Sequence, residues 1–271
     1  MKPFIEFPQN LKSTIGFVLT DIDDTLTVGG RLPPIAFSAM EDLKKKGVCV
    51  IPITGRPAGW CDHIARMWPV DGIVGENGAF YFKYDDAQKK MIRRYFKTEK
   101  ERKEDFKNLL KIKQKILRKI PGCRVSADQS YREADLAIDF CEDVHPLSIK
   151  DIDQIVNCFN DAGAQAKISS IHVNGWFGDY DKLSMTRLFF EEVFNVSLDE
   201  IKDYVIFTGD SPNDSPMFSY FPHSVGVANV LHFKERMDSD PAWITEKEGG
   251  YGFAEMVDTL LSKKNHETFC R

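Results

Sequence analysis

The sequence is poor in the features that mark secreted, membrane-spanning and nucleic-acid-binding proteins. Its 271 residues include 6 cysteines without close pairing, so we expect neither disulfides nor a zinc site. No apolar run approaches the length of a membrane span, and the first residues lack the apolar block of a secretory signal. A formal net charge of −5 argues against bulk nucleic-acid binding. We therefore expect a cytoplasmic protein without membrane or nucleic-acid partners.

The composition of the chain is that of an ordinary globular protein, with 42% hydrophobic and 28% charged residues. A chain of 271 residues exceeds one typical domain core. We therefore expect a core domain that carries an inserted second domain.

The most informative stretch is acidic and spans residues 21–27 (DIDDTLT), directly after the apolar run of residues 15–20. A buried parallel strand is a nearly continuous apolar run, so the carboxylates begin where the predicted strand ends. Side chains alternate between faces in a strand, which places Asp21 and Asp23 on the same side. Two such carboxylates suit magnesium and phosphate chemistry, one as a nucleophile and one as an acid and base. An acidic turn that caps a helix is the alternative interpretation.

The segments that follow predict a right-handed parallel unit. Apolar residues recur at helical spacing within residues 33–47, and a second apolar strand follows at 48–53. Thr54 then lies at the same sheet edge as the acidic stretch, where its hydroxyl and the amide of Gly55 can hold phosphate oxygens. A simple helix cap by Thr54 is equally consistent with this segment. Pro52 is unusual for a central strand, because proline lacks the N–H donor.

A module of different character interrupts this alternation. Its predicted elements are a hairpin (79–84 and 91–96), a helix (99–120), two strands (123–126 and 136–140), a helix (149–159) and a strand (166–174). Mixed helices and short strands predict an α+β domain. We place this inserted domain at residues 85–177, with residues 1–84 and 178–271 forming the core.

Parallel elements resume after the insert, with a helix at 181–194, strands at 204–208 and 224–229, and a closing helix at 252–261. The strand at 204–208 ends in another acidic segment, residues 209–214. Ligands of open α/β sheets bind outside the carboxyl ends of the strands. Asp21, Asp23, Thr54 and Asp210 are therefore expected to converge in one crevice.

These motifs, in this order, resemble those of the haloacid dehalogenase superfamily of aspartate-nucleophile phosphatases. The first motif is similar to residues 21–25, the second to Thr54, the third to Lys182 and the fourth to residues 209–214. An insert between the second and third motifs resembles the α/β caps of subfamily IIB, which contains Cof-like sugar phosphatases and sucrose- and trehalose-phosphate phosphatases. Asp24 stands where the commonest form of the first motif has glycine. The resemblance implies an α/β fold with a doubly wound, Rossmann-like parallel-sheet core and an inserted α+β cap.

The resemblance also implies a mechanism in two steps. One carboxylate attacks phosphorus to form an aspartyl-phosphate, and the other protonates the leaving group and then activates water. The implied catalytic residues are Asp21, Asp23, Thr54 and Lys182. Magnesium is the implied cofactor, and its implied ligands are Asp21, the backbone carbonyl of Asp23, Asp210 and, in a supporting position, Asp214.

The implied partner is a small phosphorylated molecule, most simply a sugar phosphate. Trehalose 6-phosphate is our first prediction, and sucrose 6-phosphate, mannosyl-3-phosphoglycerate and phosphoglycolate are alternatives. The candidate substrate-binding residues are Thr54, Gly55, Arg56, Asn77, Lys182 and Asn213 in the core, and His172 and Asn174 in the cap. Further cap candidates are Asp128, Arg132 and Trp176.

Two other functions use similar groups. The segment 178–182 is reminiscent of phosphomannomutases, which keep water away from the phosphorylated intermediate and need a bisphosphate activator. A response-regulator receiver also combines acidic residues with a threonine and a lysine. The long separation of Thr54 from Lys182 and the second acidic segment argue against a receiver. The sequence does not indicate the oligomeric state.

Overall fold

A computed structural model describes residues 1–262. The strands are β1 (Lys2–Pro3), β2 (Phe17–Thr20), β3 (Cys49–Pro52), β4 (Ile73–Gly75), β5 (Phe80–Asp85), β6 (Lys90–Tyr95), β7 (Arg124–Val125), β8 (Leu136–Asp139), β9 (Gln165–Ile168), β10 (His172–Trp176), β11 (Val205–Gly209), β12 (His223–Gly226) and β13 (Trp243–Ile244). The α-helices are α1 (Gln9–Lys12), α2 (Pro34–Lys45), α3 (Ala58–Met67), α4 (Glu99–Lys119), α5 (Ile149–Asn160), α6 (Lys182–Phe189), α7 (Leu198–Ile201), α8 (Ser215–Tyr220) and α9 (Gly249–Leu261). Within residues 1–262, no helix is both long and apolar enough to cross a bilayer.

The centre of the molecule is a parallel sheet of six strands in the order β1-β13-β12-β11-β2-β3. Alternate residues of its central strands enter two hydrophobic clusters, one on each face. Val18 and Ile206 belong to the cluster that includes α2, α3 and α9, whereas Leu19 and Phe207 belong to the cluster that includes α6 and α8. Helices therefore cover both faces, and the predicted doubly wound core is confirmed.

Pro52 is tolerated because of its position in the sheet. The N–H of Ile53 donates to Thr20 of β2, and the N–H of Thr54 donates in the opposite direction to Val74. Since donors alternate along a strand, the nitrogen of Pro52 faces away from β2. No ladder bond to the central strand is lost, which reconciles this proline with a buried strand.

The predicted hairpin is present as β5 and β6, which form an antiparallel sheet with β4. Phe80 and Phe82 lie in the core-domain cluster, and Met91 and Tyr95 pack against the same cluster. The hairpin thus packs on the core, although the boundary at residue 85 assigns its second strand to the cap. That boundary remains a prediction.

The cap has its own antiparallel sheet, β7-β8-β10-β9, and its own hydrophobic cluster with helices α4 and α5. Helix α4 begins at a capping box formed by Thr98 and Glu101. Val173 of β10 enters this cluster, so its neighbours His172 and Asn174 lie on the opposite face of the sheet. This alternation directs polar residues of β10 toward the core domain.

The prediction of one strand over 166–174 is wrong. The chain reverses between β9 and β10, which pair antiparallel. The hydroxyl of Ser169 accepts hydrogen bonds from the backbone N–H groups of Ile171 and His172, and its own N–H donates to the His172 carbonyl. A serine that bonds its own backbone in this way favours a turn over a strand. The predicted strand 224–229 likewise ends early, at Gly226.

Gly78 sets the contact between the loop after β4 and the start of α6. Its φ is +106°, and a Cβ at this position would lie 2.0 Å from the carbonyl oxygen of Asp181, the residue before Lys182. Only glycine permits both this backbone conformation and this approach. The first residue of α6 is thereby placed against the loop that carries Asn77.

We expect Gly78→Ala to destabilise the protein by about 1–3 kcal/mol more than Gly163→Ala, because the methyl group must displace the α6 backbone. Gly163 is the matched control, since its φ is +76° and no atom lies within 4 Å of the position that a methyl group would take there. Denaturant unfolding of both variants measures the difference. Equal losses would show that only the left-handed conformation matters at Gly78.

Candidate active site

Three strand ends and one helix start bring the predicted groups together. Asp21 follows β2, Thr54 follows β3, Asp210 follows β11, and Lys182 is the first residue of α6. The Lys182 ammonium lies 2.7 Å from one carboxylate oxygen of Asp21 and 2.7 Å from one of Asp214. The side chains of this ion-paired trio are at most 7% exposed. Buried carboxylates require such a partner, so Lys182 makes their proximity possible.

Carboxylate oxygens of Asp21, Asp210 and Asp214 all lie within 4.8 Å of one another. The Asp210 carboxylate also accepts hydrogen bonds from the hydroxyl of Thr25 (3.0 Å) and the amide of Asn229 (3.3 Å). A compact set of oxygen donors fits a hard divalent cation such as Mg²⁺. The supporting roles of Thr25 and Asn229 were not predicted from the sequence, because each contact joins Asp210 to a separate segment of the chain.

Burial changes the acid–base properties of this cluster. It raises the pKa of Asp21 to about 8, with Lys182 opposing the change and the charge of Asp214 reinforcing it. Burial also raises the pKa of Asp210 well above its usual value, and the charges of Asp21 and Asp214 add to the effect. Without a cation, Asp21 and Asp210 therefore favour their protonated form, and a bound cation would favour their ionised form.

Asp23 lies at the same edge but has a different partner. The Arg56 guanidinium contacts both Asp23 carboxylate oxygens, at 2.9 and 3.0 Å from Nε and at 2.7 Å from Nη2. Two cap carboxylates also reach Arg56: Glu142 at 3.0 Å and Asp128 at 3.5 Å. The Arg56 side chain is 4% exposed. It thus joins the predicted acid–base residue to the cap.

The loops after β3 and β4 supply hydrogen-bond donors beside this edge. The Thr54 hydroxyl oxygen accepts the backbone N–H of Arg56 at 3.0 Å. It does not cap α3, which begins at Ala58. Asn77 lies against Gly55, and its buried amide nitrogen has no hydrogen-bond partner among the described residues. A buried donor of this kind is available to a ligand.

The predicted cap residues lie in or near the same crevice. His172 and Asn174 line it together with Asp21 and Asp23. The Asn174 amide donates to Asp135 at 2.8 Å, and His172 Nε2 lies 2.8 Å from Glu142. The predicted core residue Asn213 also lines the crevice, where its side-chain oxygen accepts the Ser211 hydroxyl.

Not every cap candidate is free for a ligand. Trp176 is buried in the core-domain cluster, where its indole donates to the Tyr180 carbonyl. Arg132 is committed to Asp128 and Asp135, and it also donates to the Gly55 carbonyl at 2.9 Å. Arg132 therefore ties the cap to the loop after Thr54.

A second link between cap and core was not predicted from the sequence. The fully buried carboxylate of Glu76 accepts the backbone N–H of Ala58 in the core and those of Glu133, Ala134 and Asp135 in the cap. The contact of Glu142 with Arg56 was missed as well. Contacts across domains, to backbone groups above all, leave no pattern in the sequence.

A sequence model of haloacid dehalogenase-like hydrolases matches residues 18–203, which is more than half of the chain. The chain belongs to the haloacid dehalogenase-like hydrolases. The predicted superfamily is thereby confirmed, and with it the prediction that the protein is a hydrolytic enzyme. No protein of curated function matches the chain significantly in sequence.

Solved structures share the fold of this hydrolase at low sequence identity. Protein 0175 of Thermoplasma acidophilum is 18% identical with a TM-score of 0.67, over 91% of this chain and 98% of that one. The sucrose-phosphatase of Synechocystis sp. PCC6803, solved with sucrose and phosphate, is 15% identical with a TM-score of 0.62, over 91% and 98%. A subclass IIB sugar phosphatase, BT4131, is 15% identical with a TM-score of 0.56, over 84% and 92%. All three share the predicted fold, and the third is a protein of subclass IIB.

We expect the metal-free hydrolase to lose stability as the pH rises from about 5 to about 8. The pKa of Asp21 is about 8 in the folded protein against an ordinary value of 3.8. Because the pKa of Asp21 is raised on folding, the contribution of this residue to the free energy of unfolding is complete below pH 3.8. That contribution is lost progressively as the pH rises through about 8. Mg²⁺ should reverse this loss, because a cation stabilises the ionised carboxylates.

Thermal unfolding with and without Mg²⁺ at the two pH values measures this effect. Mg²⁺ should raise the Tm more at the higher pH than at the lower one. The difference should be about 2–4 °C for each kcal/mol by which Mg²⁺ binding is more favourable at the higher pH. Asp210→Asn is the control and should lose most of the response to Mg²⁺. A Tm response that is the same at both pH values would contradict the assignment.

Proposed function

We propose that this hydrolase is a magnesium-dependent phosphatase that acts on a sugar phosphate through an aspartyl-phosphate. The observation that carries the proposal is the Lys182 ammonium held between Asp21 and Asp214, beside the third carboxylate of Asp210. Positive charge next to a buried nucleophile and a cluster of oxygen donors are the requirements of phosphoryl transfer. A cytoplasmic location is part of this proposal.

In the proposed first step, an oxygen of Asp21 forms a bond to phosphorus while the bond from phosphorus to the leaving oxygen breaks. Asp23 gives its proton to that leaving oxygen. In the second step, Asp23 takes a proton from water, the water oxygen bonds to phosphorus, and the bond to Asp21 breaks. Bound Mg²⁺ would reduce the repulsion between carboxylate and phosphate.

Three groups of the chain would hold the phosphoryl oxygens. Lys182 supplies charge. The Thr54 oxygen already accepts a hydrogen bond from the Arg56 N–H, so its hydroxyl hydrogen is left for a phosphate oxygen. The amide nitrogen of Asn77, which has no hydrogen-bond partner within residues 1–262, is a further donor.

A sugar as the leaving group is supported by the polar cap residues His172 and Asn174, which line the crevice. It is also supported by the fold shared with a sucrose-phosphatase and a sugar phosphatase. Trehalose 6-phosphate remains our first candidate, with sucrose 6-phosphate, mannosyl-3-phosphoglycerate and phosphoglycolate as alternatives.

Phosphate release with Mg²⁺ across a panel of these compounds and of mannose and glucose phosphates tests the proposal. Asp21→Asn should lower kcat by at least about 10³-fold, because the nucleophile is lost. Asp161→Asn removes a carboxylate from an exposed cap ion pair and is the matched control. Acid quenching should trap phosphate on the peptide that contains Asp21, and trapped phosphate elsewhere would contradict the mechanism.

Failure to release phosphate from any panel member would overturn the phosphatase proposal. Interconversion of hexose phosphates that depends on a hexose bisphosphate would instead identify a phosphomutase. The same Asp21→Asn variant separates these outcomes from contaminating activity.

A further inference from the structure

A cavity of about 460 Å³ lies beside Asp23, between the loop after β2, helix α3 and the cap. Its lining is mostly apolar and includes Trp60, His63, Trp68 and Tyr131. A volume of this size and an aromatic lining are typical of small-molecule sites. The mechanism proposed above does not use this cavity.

Asp23 and Arg56 line both the cavity and the catalytic crevice, so the two spaces adjoin at this pair. A group attached to the oxygen that Asp23 protonates can therefore extend into the aromatic cavity, which offers about 460 Å³ beside that residue.

Two exposed aromatic side chains face this space from different domains. Trp60 of α3 is 41% exposed, and Tyr131 of the cap is 58% exposed. Tyr131 packs directly over α3, since a Cβ at Gly59 would lie 2.9 Å from the Tyr131 Cβ. The Arg56 guanidinium lies over the Trp60 ring, 4.5 Å from its centroid. Exposed rings at a cavity wall are suited to stacking on the flat apolar face of another ring.

The charges around Arg56 disfavour an acidic ligand. Arg56 is the shared cation of three carboxylates: Asp23, Asp128 and Glu142. Hydrogen bonding to His172, together with the charge of Arg56, lowers the pKa of Glu142 to about 2, so this carboxylate stays ionised. The local excess of negative charge would repel a second carboxylate on the substrate.

We propose that the aromatic cavity is the leaving-group site, and that it takes a neutral alcohol with a ring that stacks on Trp60 and Tyr131. This inference rests on the proposed phosphatase function and narrows its substrates. It disfavours phosphoglycolate and mannosyl-3-phosphoglycerate, whose leaving groups carry a carboxylate. A sugar ring and an aromatic ring share the required chemistry, and the experiment separates them.

The test compares kcat/KM for trehalose 6-phosphate, glucose 6-phosphate, benzyl phosphate, glycerol phosphate and phosphoglycolate. The wild-type enzyme should prefer the ring substrates to glycerol phosphate, and phosphoglycolate should be the poorest. In Trp60→Ala and Tyr131→Ala, the ratio of kcat/KM for the best ring substrate to that for glycerol phosphate should fall about tenfold. Trp60→Phe should restore most of this ratio.

Tyr204→Ala is the matched control, because Tyr204 is 48% exposed and does not line the cavity. Its ratio should not change. Unchanged ratios in both aromatic variants would overturn the inference while leaving the phosphatase intact. Preference for the sugar phosphates or for benzyl phosphate identifies which ring the cavity takes.

A binding measurement tests the cavity without relying on catalytic turnover. Calorimetry with Mg²⁺ and inorganic phosphate present should detect binding of trehalose, glucose or benzyl alcohol to the wild-type protein, and this binding should weaken in Tyr131→Ala. Ring binding without phosphate release would refute the proposed function but not the cavity. Absence of ring binding together with unchanged ratios would refute the cavity.

Discussion

The Lys182 ammonium is the interaction on which the rest of the site depends. Three buried carboxylates cannot all be ionised in one small volume without positive charge. Lys182, which is distant from Asp21 in the sequence, supplies that charge through its contacts with Asp21 and Asp214. The cap is inserted between these partners, so its two ends must return to the same edge. The close contact of Gly78 with the backbone before Lys182 shows how tightly that return is fixed. The position of Lys182 therefore depends on how the chain returns from the cap, and the charge balance of the site depends on the position of Lys182.

The interface between cap and core follows the same logic. Glu76 gathers backbone N–H groups from both domains, and Arg132 reaches from the cap to the Gly55 carbonyl. Burial raises the pKa of Glu76 to about 8, whereas its backbone donors oppose that change. Buried polar contacts of this kind add little net stability. Breaking them is costly, because it leaves buried polar groups without partners, and they therefore fix one relative orientation of the two domains.

The sequence predicted the parts of the fold that depend on local pattern. Apolar runs identified β2, β3 and β11. The acidic residues after β2 and β11, together with Thr54 after β3, predicted the crevice. The turn at Ser169 was missed because two hydrogen bonds from the backbone to the Ser169 hydroxyl outweighed a strand-like run. Glu142 and the aromatic pair Trp60 and Tyr131 were missed for another reason. Their neighbours in space are set by how the cap packs on the core, which no periodicity encodes.

The contact between Arg56 and Asp23 constrains any catalytic cycle of this site. Both Asp23 carboxylate oxygens are held by this arginine, so they are not free to contact another molecule. For Asp23 to reach a leaving-group oxygen in the proposed mechanism, the Arg56 guanidinium must first turn to another anion. A phosphate beside Asp21 is such an anion, and the cap carboxylates Glu142 and Asp128 are others within reach. Substrate binding and the release of the Asp23 carboxylate are therefore linked through one guanidinium, which also lines the aromatic cavity.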